Sequence, residues 1–315
     1  MSSHQHQHPL DKIAGVEDDQ GYRVGGFLPV HLGDVLGNSE GRYRVIHKLG
    51  NGVSATVWLA EELNNLDEAV GLWALKIFSA GLHVTEMSAL VFLARMVAPH
   101  PNVLTFRGYF TVEGVNGSHI CFVFPFLGPT VKQMQQANLD AAVKRGAAKQ
   151  MADGLAHLHQ AGFCHGHVAD TAVLFRLRDA DSWTKDQVYQ TFGRPITVPV
   201  PVPCDNSSAL PSSMPRYRVK AIDFKRFNPG LLSGDICIAD FGQSFKIETD
   251  NPGMPPMKPT FLAPESLFND VWGVGCVIFG LYTGRVLFPT LNESVHQVIA
   301  AIIDTLGPLP ADWKG

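Results

Sequence analysis

The apolar positions of this chain gather into short runs before residue 128 and into longer, helix-like stretches after it. From Tyr43 onward, RYRVIHKLG, ATVWLAEE and VGLWALKIF carry the β-branched and aromatic side chains of strands, separated by the turn-forming LGNGVS and NNLDEA. They predict three antiparallel strands. TEMSALVFLARMV then places Met87, Leu90, Ala94 and Val97 at helical spacing, which predicts one helix packed on that sheet. YFTVEGVNGSHICFVF reads as a hairpin turning at Asn116-Gly117, residues that tolerate positive φ. A five-stranded unit with one helix is the expectation. Beyond Gly128, LDAAVKRGAAKQMADGLAHLHQAG predicts a long helix that stops at Gly162. VWGVGCVIFGLY, at 271–282, is shorter than the ~20 residues a membrane span needs, so it predicts a helix buried among others and no membrane role. Residues 1–40 keep no sustained period and read as an extension. Residues 192–215, with Pro195, Pro199, Pro201 and Pro203 near serines, read as an extended, mobile insert.

Composition narrows the class. A chain of 315 residues that is 45% hydrophobic and 17% charged has enough apolar material for one large core or two smaller lobes. Its net charge of −4 supplies no general basic surface, so direct nucleic-acid binding is not expected. The five cysteines, Cys121, Cys164, Cys204, Cys237 and Cys276, form no C-x-x-C pair, which argues against a zinc site and a disulfide framework and favours a reducing compartment. The start, MSSHQHQHPLDK, lacks the charged-then-apolar order of a signal peptide, so cytoplasm or nucleus is expected. His4, His6 and His8 could hold a metal only weakly and read as a polar tail, and the sequons at Asn116 and Asn206 read as chance matches.

Candidate chemistry appears as a series of ordered motifs. LGNGVSATV, 49–57, sets Gly50 and Gly52 in a strand-turn-strand context, where missing side chains let backbone amides approach phosphate oxygens. WALK ends the third run at Lys76, a cation able to contact the α and β phosphates, and Glu86 at the start of the next helix is the candidate carboxylate to pair with it. CHGHVADTAVLF, 164–175, fits a catalytic-loop frame of His, Arg, Asp and, five residues after the Asp, Asn, but fills it with His165, Gly166, His167 and Ala172. ICIADFGQSF follows, with Asp240-Phe241-Gly242 supplying a carboxylate for magnesium, and then Ala263-Pro264-Glu265.

Through GGFLPVHLGDVLGNSEGRYRVIHKLGNGVSATVWLA, GVNGSHICFVF, LGPT, IADFGQSF and LGPLPADW, the chain resembles the SR-protein kinase family, particularly its divergent fungal members. The resemblance runs from about Gly21 to the end. It implies an α+β, two-lobed protein-kinase-like fold: an N-terminal extension at 1–40, a small β-rich lobe at 41–127 and a larger helical lobe at 128–315. It also implies ATP and Mg2+ as cofactors and Arg/Ser-rich proteins as partners. Nucleotide contacts would come from Leu49, Gly50, Asn51, Gly52, Val57, Lys76 and Asp240, with Asp240 as metal ligand and Lys76, Glu86 and His167 as the catalytic set. Gly166 in the Arg slot agrees with a family whose activity does not rely on a phosphorylated activation segment.

The departures point the other way. His167 can accept a proton as a neutral imidazole but carries no negative charge to orient a substrate hydroxyl, and Ala172 cannot ligate a metal. Only Ser266-Leu267-Phe268-Asn269 separate Glu265 from Asp270, and the only Arg after Glu265 is Arg285, so the larger lobe reads as shortened. The leading expectation is an ATP-binding, kinase-like scaffold or regulator with impaired phosphoryl transfer. A weak Ser/Thr kinase using His167 and a small-molecule phosphotransferase stay open as alternatives.

Overall fold

The computed structural model describes residues 14–81, 85–200, 210–224, 227–247, 269–289 and 294–308. They form two compact units, each assembled from three separated segments: 14–81, 106–126 and 181–223 in the first, 85–105, 127–180 and 224–308 in the second. The units therefore interleave along the chain, where the sequence alone predicts a single division near residue 128.

The first unit is a six-stranded antiparallel sheet of β1 (Val35–Asn38), β2 (Gly41–Asn51), β3 (Ala55–Leu63), β4 (Ala69–Phe78), β5 (Gly108–Gly114) and β6 (Gly117–Pro125), in the order β1-β2-β3-β4-β6-β5. Alternate residues on its strands, among them Val45, Trp58, Ala60, Leu75, Ile77, Cys121 and Val123, make one core with Leu28 and Val30. The segment read as an extension thus covers a face of the sheet, and Tyr22 and Phe27 are buried with it. A buried ionic cluster fastens it. Glu17 accepts hydrogen bonds from the Lys48 ammonium on β2 and from the Tyr22 hydroxyl. Arg218 donates to the Glu17 carbonyl at 3.0 Å and pairs with Asp19 at 2.8 Å. The acidic and basic side chains lie together where an isolated charge would be costly, and burial, with the Arg218 charge, lowers the Lys48 pKa to about 7.

The β5–β6 hairpin turns one residue earlier than expected, with Gly114 paired to Gly117 and Gly117 at φ +128. Asn116 is fully buried, and its amide nitrogen donates to the carbonyls of Phe27 and Ser213 at 2.7 and 2.9 Å. That nitrogen is the atom a glycan would need. Asn206 lies outside the described residues.

A helix at Lys185–Phe192, opened by a Thr184–Gln187 capping box, precedes the insert, and within the insert Thr197–Pro199 is extended and pairs antiparallel with Tyr217–Val219 beyond it. Val219 then joins the core of the sheet, so the sides of the insert are structural parts of the first unit.

In the second unit, α1 (Thr85–Met96) precedes α2 (Val131–Met134) and α3 (Ala141–Gln160). The helix exists where predicted and belongs to the second unit, with Ala89, Leu90 and Leu93 buried and Ala94 exposed. Phe92 stacks on Phe163 at 5.4 Å. α3 buries Ala147, Met151, Leu155 and Leu158 and stops at Gly162, whose φ of +71 lets its amide bond the His159 carbonyl. Next come β7 (Phe163–Cys164), β8 (Val173–Leu177), β9, the Thr197–Pro199 strand, and β10, the Tyr217–Val219 strand, both of the first unit; α4 is the Lys185–Phe192 helix. β11 (Leu232–Ile238) pairs with β8, and β12 (Phe245–Lys246) with β7. α5 (Asn269–Thr283) contains the apolar run and α6 is Val295–Leu306. Among the described residues no helix is long and apolar enough to cross a membrane.

Candidate functional site

In the first unit, strand register aligns three of the expected nucleotide-binding residues. Gly50 on β2 pairs with Val57 on β3, Val57 pairs with Lys76 on β4, and Lys76 pairs with Phe122 on β6. The glycine hairpin and the lysine therefore stand two strands apart in one cross-strand row, with neighbouring strands ~4.8 Å apart. Leu49 is half-buried, whereas Asn51 and Gly52 are exposed at the hairpin tip. Neither Gly50 nor Gly52 has positive φ, and a methyl group added at either would meet nothing within 4 Å. Neither backbone nor packing demands glycine at these positions.

In the second unit, β11 leads into Asp240, which sits in the left-handed region at φ 66, ψ 64, unusual for a residue with a side chain. Such backbone strain costs about 1–3 kcal/mol and concentrates at functional positions. Phe241, fully buried, anchors the turn with its ring 4.9 Å from the His165 ring. A methyl group at Gly242 would stand 3.7 Å from Asp240 Oδ1 and 3.7 Å from Glu86 Oε2, so two expected site carboxylates flank one glycine. Glu86 thus lies in the second unit and Lys76 in the first.

The loop after β7 is held from beneath by Asp270, a buried residue in the first turn of α5. Its Oδ2 accepts the His165 amide at 2.7 Å and faces His159 Nε2 at 2.9 Å, while Oδ1 accepts the Gly166 amide at 2.7 Å. Burial alone would raise the Asp270 pKa, but the His159 hydrogen bond, the nearby His165 ring and the two amides together hold it below the ordinary carboxylate value. His165 is fully buried, with Nε2 2.8 Å from the Ala239 carbonyl. The His167 amide approaches His165 Nδ1 at 3.3 Å. Asp170 is buried and accepts a bond from Gln135 Nε2 at 2.9 Å, which ties it to α2. Ala172 is fully buried; its amide donates to Ala169 and its carbonyl accepts from Ala239, and its methyl offers no ligand atom. His159 was not singled out from the sequence, and Asp270 was noted there only as the acid that opens the apolar run at 271–282, with no role assigned to it. Ala263-Pro264-Glu265 lies outside the described residues.

The Arg slot is closed by geometry as well as by sequence. Gly166 adopts φ +77, and a methyl group there would lie 2.1 Å from the Gln243 carbonyl oxygen. Gly166→Ala is expected to destabilise the protein by about 2–4 kcal/mol, from left-handed backbone strain plus overpacking against backbone. Chemical denaturation of the two proteins would show it, and an unchanged midpoint would refute the tight fit.

No family model matches the chain. It is 28% identical to a serine/threonine protein kinase of Aspergillus fumigatus over 326 residues, covering 96% of this chain and 74% of that one. It is 26% identical to the serine/threonine-protein kinase SRPK of Physarum polycephalum, covering 95% of this chain and 73% of the relative. Human SRSF protein kinase 3 is 30% identical over 177 residues, covering 52% of this chain and 30% of that one.

Proposed function

We propose that this chain, an SR-protein-kinase-like protein, binds ATP but transfers its γ-phosphate slowly or not at all, and acts chiefly as a scaffold or competitor for an Arg/Ser-rich partner. The observation that carries the reading is the contrast between Gly50 and Gly52, glycines nothing in the fold requires, and Ala172, a buried methyl in a metal-ligand position.

The roles follow from the chemistry of each side chain. Gly50 and Gly52 would let backbone amides reach phosphate oxygens, with Leu49, Asn51 and Val57 around them. Lys76, in register with Gly50 through Val57, would place a cation on the α and β phosphates, and Glu86 would orient that cation. Asp240 would hold one divalent cation, which when bound neutralises phosphate charge. The donor set fits one such ion and lacks the side chain for a second. His167 is the remaining base candidate: a neutral imidazole can take the hydroxyl proton but gives no anion to align that hydroxyl.

A weak protein kinase using His167 is the second reading, favoured by the kinase names of all three relatives. Thermal unfolding with and without ATP-Mg2+, run beside a radiolabelled transfer assay on an Arg/Ser-rich peptide, separates the two. At a hundredfold excess over its Kd, ATP is expected to add ~2.7 kcal/mol of stability to the natural chain, and this is lost in Lys76→Met. No shift in either protein would sink nucleotide binding. Rapid transfer by the natural chain would support the second reading instead.

A further inference from the structure

We propose a second metal site, separate from Asp240, in which His159, Cys164 and Asp270 bind a zinc-class divalent ion. The absence of C-x-x-C spacing argues against zinc in the sequence, but the fold gathers these three ligands from three different elements. His159 comes from the last turn of α3, Cys164 from β7 and Asp270 from the first turn of α5. One ligand atom from each lies within 4.8 Å of the other two. A tetrahedral zinc ion, with bonds of about 2.0–2.3 Å, keeps its ligand atoms roughly 3.3–3.8 Å apart, so closure needs a shift of about 1 Å.

The donor set is one thiolate sulfur, one imidazole nitrogen and one carboxylate oxygen, a mixture that suits borderline-soft Zn2+ and leaves a fourth position for water. Its supporting shell is already in place. The Asp270 carboxylate is fixed by the amides of His165 and Gly166, each at 2.7 Å, as ligating carboxylates commonly are. Cys164 is fixed by the pairing of β7 with β12. His159 and Cys164 are partly exposed while Asp270 is buried, so an ion can enter from solvent past the first two and settle on the third.

The bland account is a hydrogen bond from His159 to Asp270 that ties α3 to α5, and it leaves the thiol unused. A cysteine nucleophile fits worse. Burial and the Asp270 charge push the Cys164 pKa up to about 11, so the free thiol stays protonated at neutral pH. Metal binding would displace that proton. The ion would then fasten α3, β7 and α5 together directly under the 165–167 loop.

The test uses the full chain with His4, His6 and His8 changed to alanine, because the histidine tail is the obvious competing site, in a thiol-free reductant. Titration with Co2+ is expected to give one equivalent of tetrahedral visible bands and a near-ultraviolet thiolate-to-cobalt band, both abolished by stoichiometric Zn2+. Cys164→Ser should remove the near-ultraviolet band. Cys164→Ser and His159→Gln should each weaken binding by at least roughly the 10–100-fold that loss of a supporting group alone costs. Zn2+ should raise the melting temperature of the tail variant and leave Cys164→Ser unchanged, a readout that needs no enzymatic activity. Absence of the cobalt bands in the tail variant, or their persistence in Cys164→Ser, would overturn the proposal.

Discussion

Replacing Asp270 with alanine is expected to lower the unfolding free energy by about 3–5 kcal/mol, the range seen when one partner of a buried charge network is removed. The carboxylate is 3% exposed and accepts the amides of His165 and Gly166 while facing His159 Nε2. Alanine would leave two interior amides unpaired, and each such loss costs about 1–3 kcal/mol. Asp270→Asn separates charge from shape, since its carbonyl oxygen can satisfy one amide while its NH2 opposes the other. The pH dependence has a definite sign. The Asp270 pKa is depressed in the folded state, so its contribution is fully present above the unfolded value of ~3.9 and is lost as pH falls through the lower folded value. Urea midpoints for the natural chain and Asp270→Asn should therefore differ at neutral pH and converge in the acid range below about pH 4. A constant difference down to the acid limit would mean that the carboxylate charge is not what holds the loop.

The second large effect is on transfer. His167→Asp with Ala172→Asn, made together, is expected to raise phosphate transfer to an Arg/Ser-rich peptide by about 10²–10⁴-fold, the usual contribution of a positioned base. Each change alone should recover little, because both groups act on one transition state and their effects couple. The structure adds a complication at Ala172. Its methyl is fully buried and its backbone holds Ala169 and Ala239, so the larger Asn should cost about 1–3 kcal/mol of stability. Melting curves with ATP are needed beside the rates. A natural chain as active as the double variant would make His167 a competent base. A double variant that binds ATP yet stays silent would move the defect outside the 164–175 loop.

What could be read from the sequence depended on whether a feature left a local pattern. β2, β3 and β4 were legible because runs of β-branched and aromatic side chains are separated by turn-forming segments, and α3 because its small and aliphatic residues end at a glycine. β1 was missed: Val35-Leu36-Gly37-Asn38 is short, mostly exposed and broken by a glycine, so nothing in it alternates. α1 was found, but its burial direction was not, since Ala89 and Leu93 supply its inner face and only the fold decides what meets them. The glycine hairpin, Lys76 and Asp240 carry local signatures. The Asp270 network does not, because its members lie 104 and 105 positions apart from the amides they hold. The extended backbone of the insert was legible at 197–199, but its pairing was not, because that three-residue strand is defined by a partner at 217–219.

The ionic cluster that closes the first unit also sets an order of events during synthesis. Arg218 grips the Glu17 carbonyl across 201 positions, and Val219 completes a core begun by Leu28. At about 5–20 residues per second, a ribosome needs roughly 10–40 s to make the chain between those two residues. Late in that interval β1 to β6, which end at Pro125, have all been made, while the arginine that pairs with their N-terminal acidic segment does not yet exist. Its sheet therefore matures only after most of α3 and the whole 164–175 loop have emerged. A nascent chain halted before Arg218 is the species that a chaperone would hold and a protease would cut.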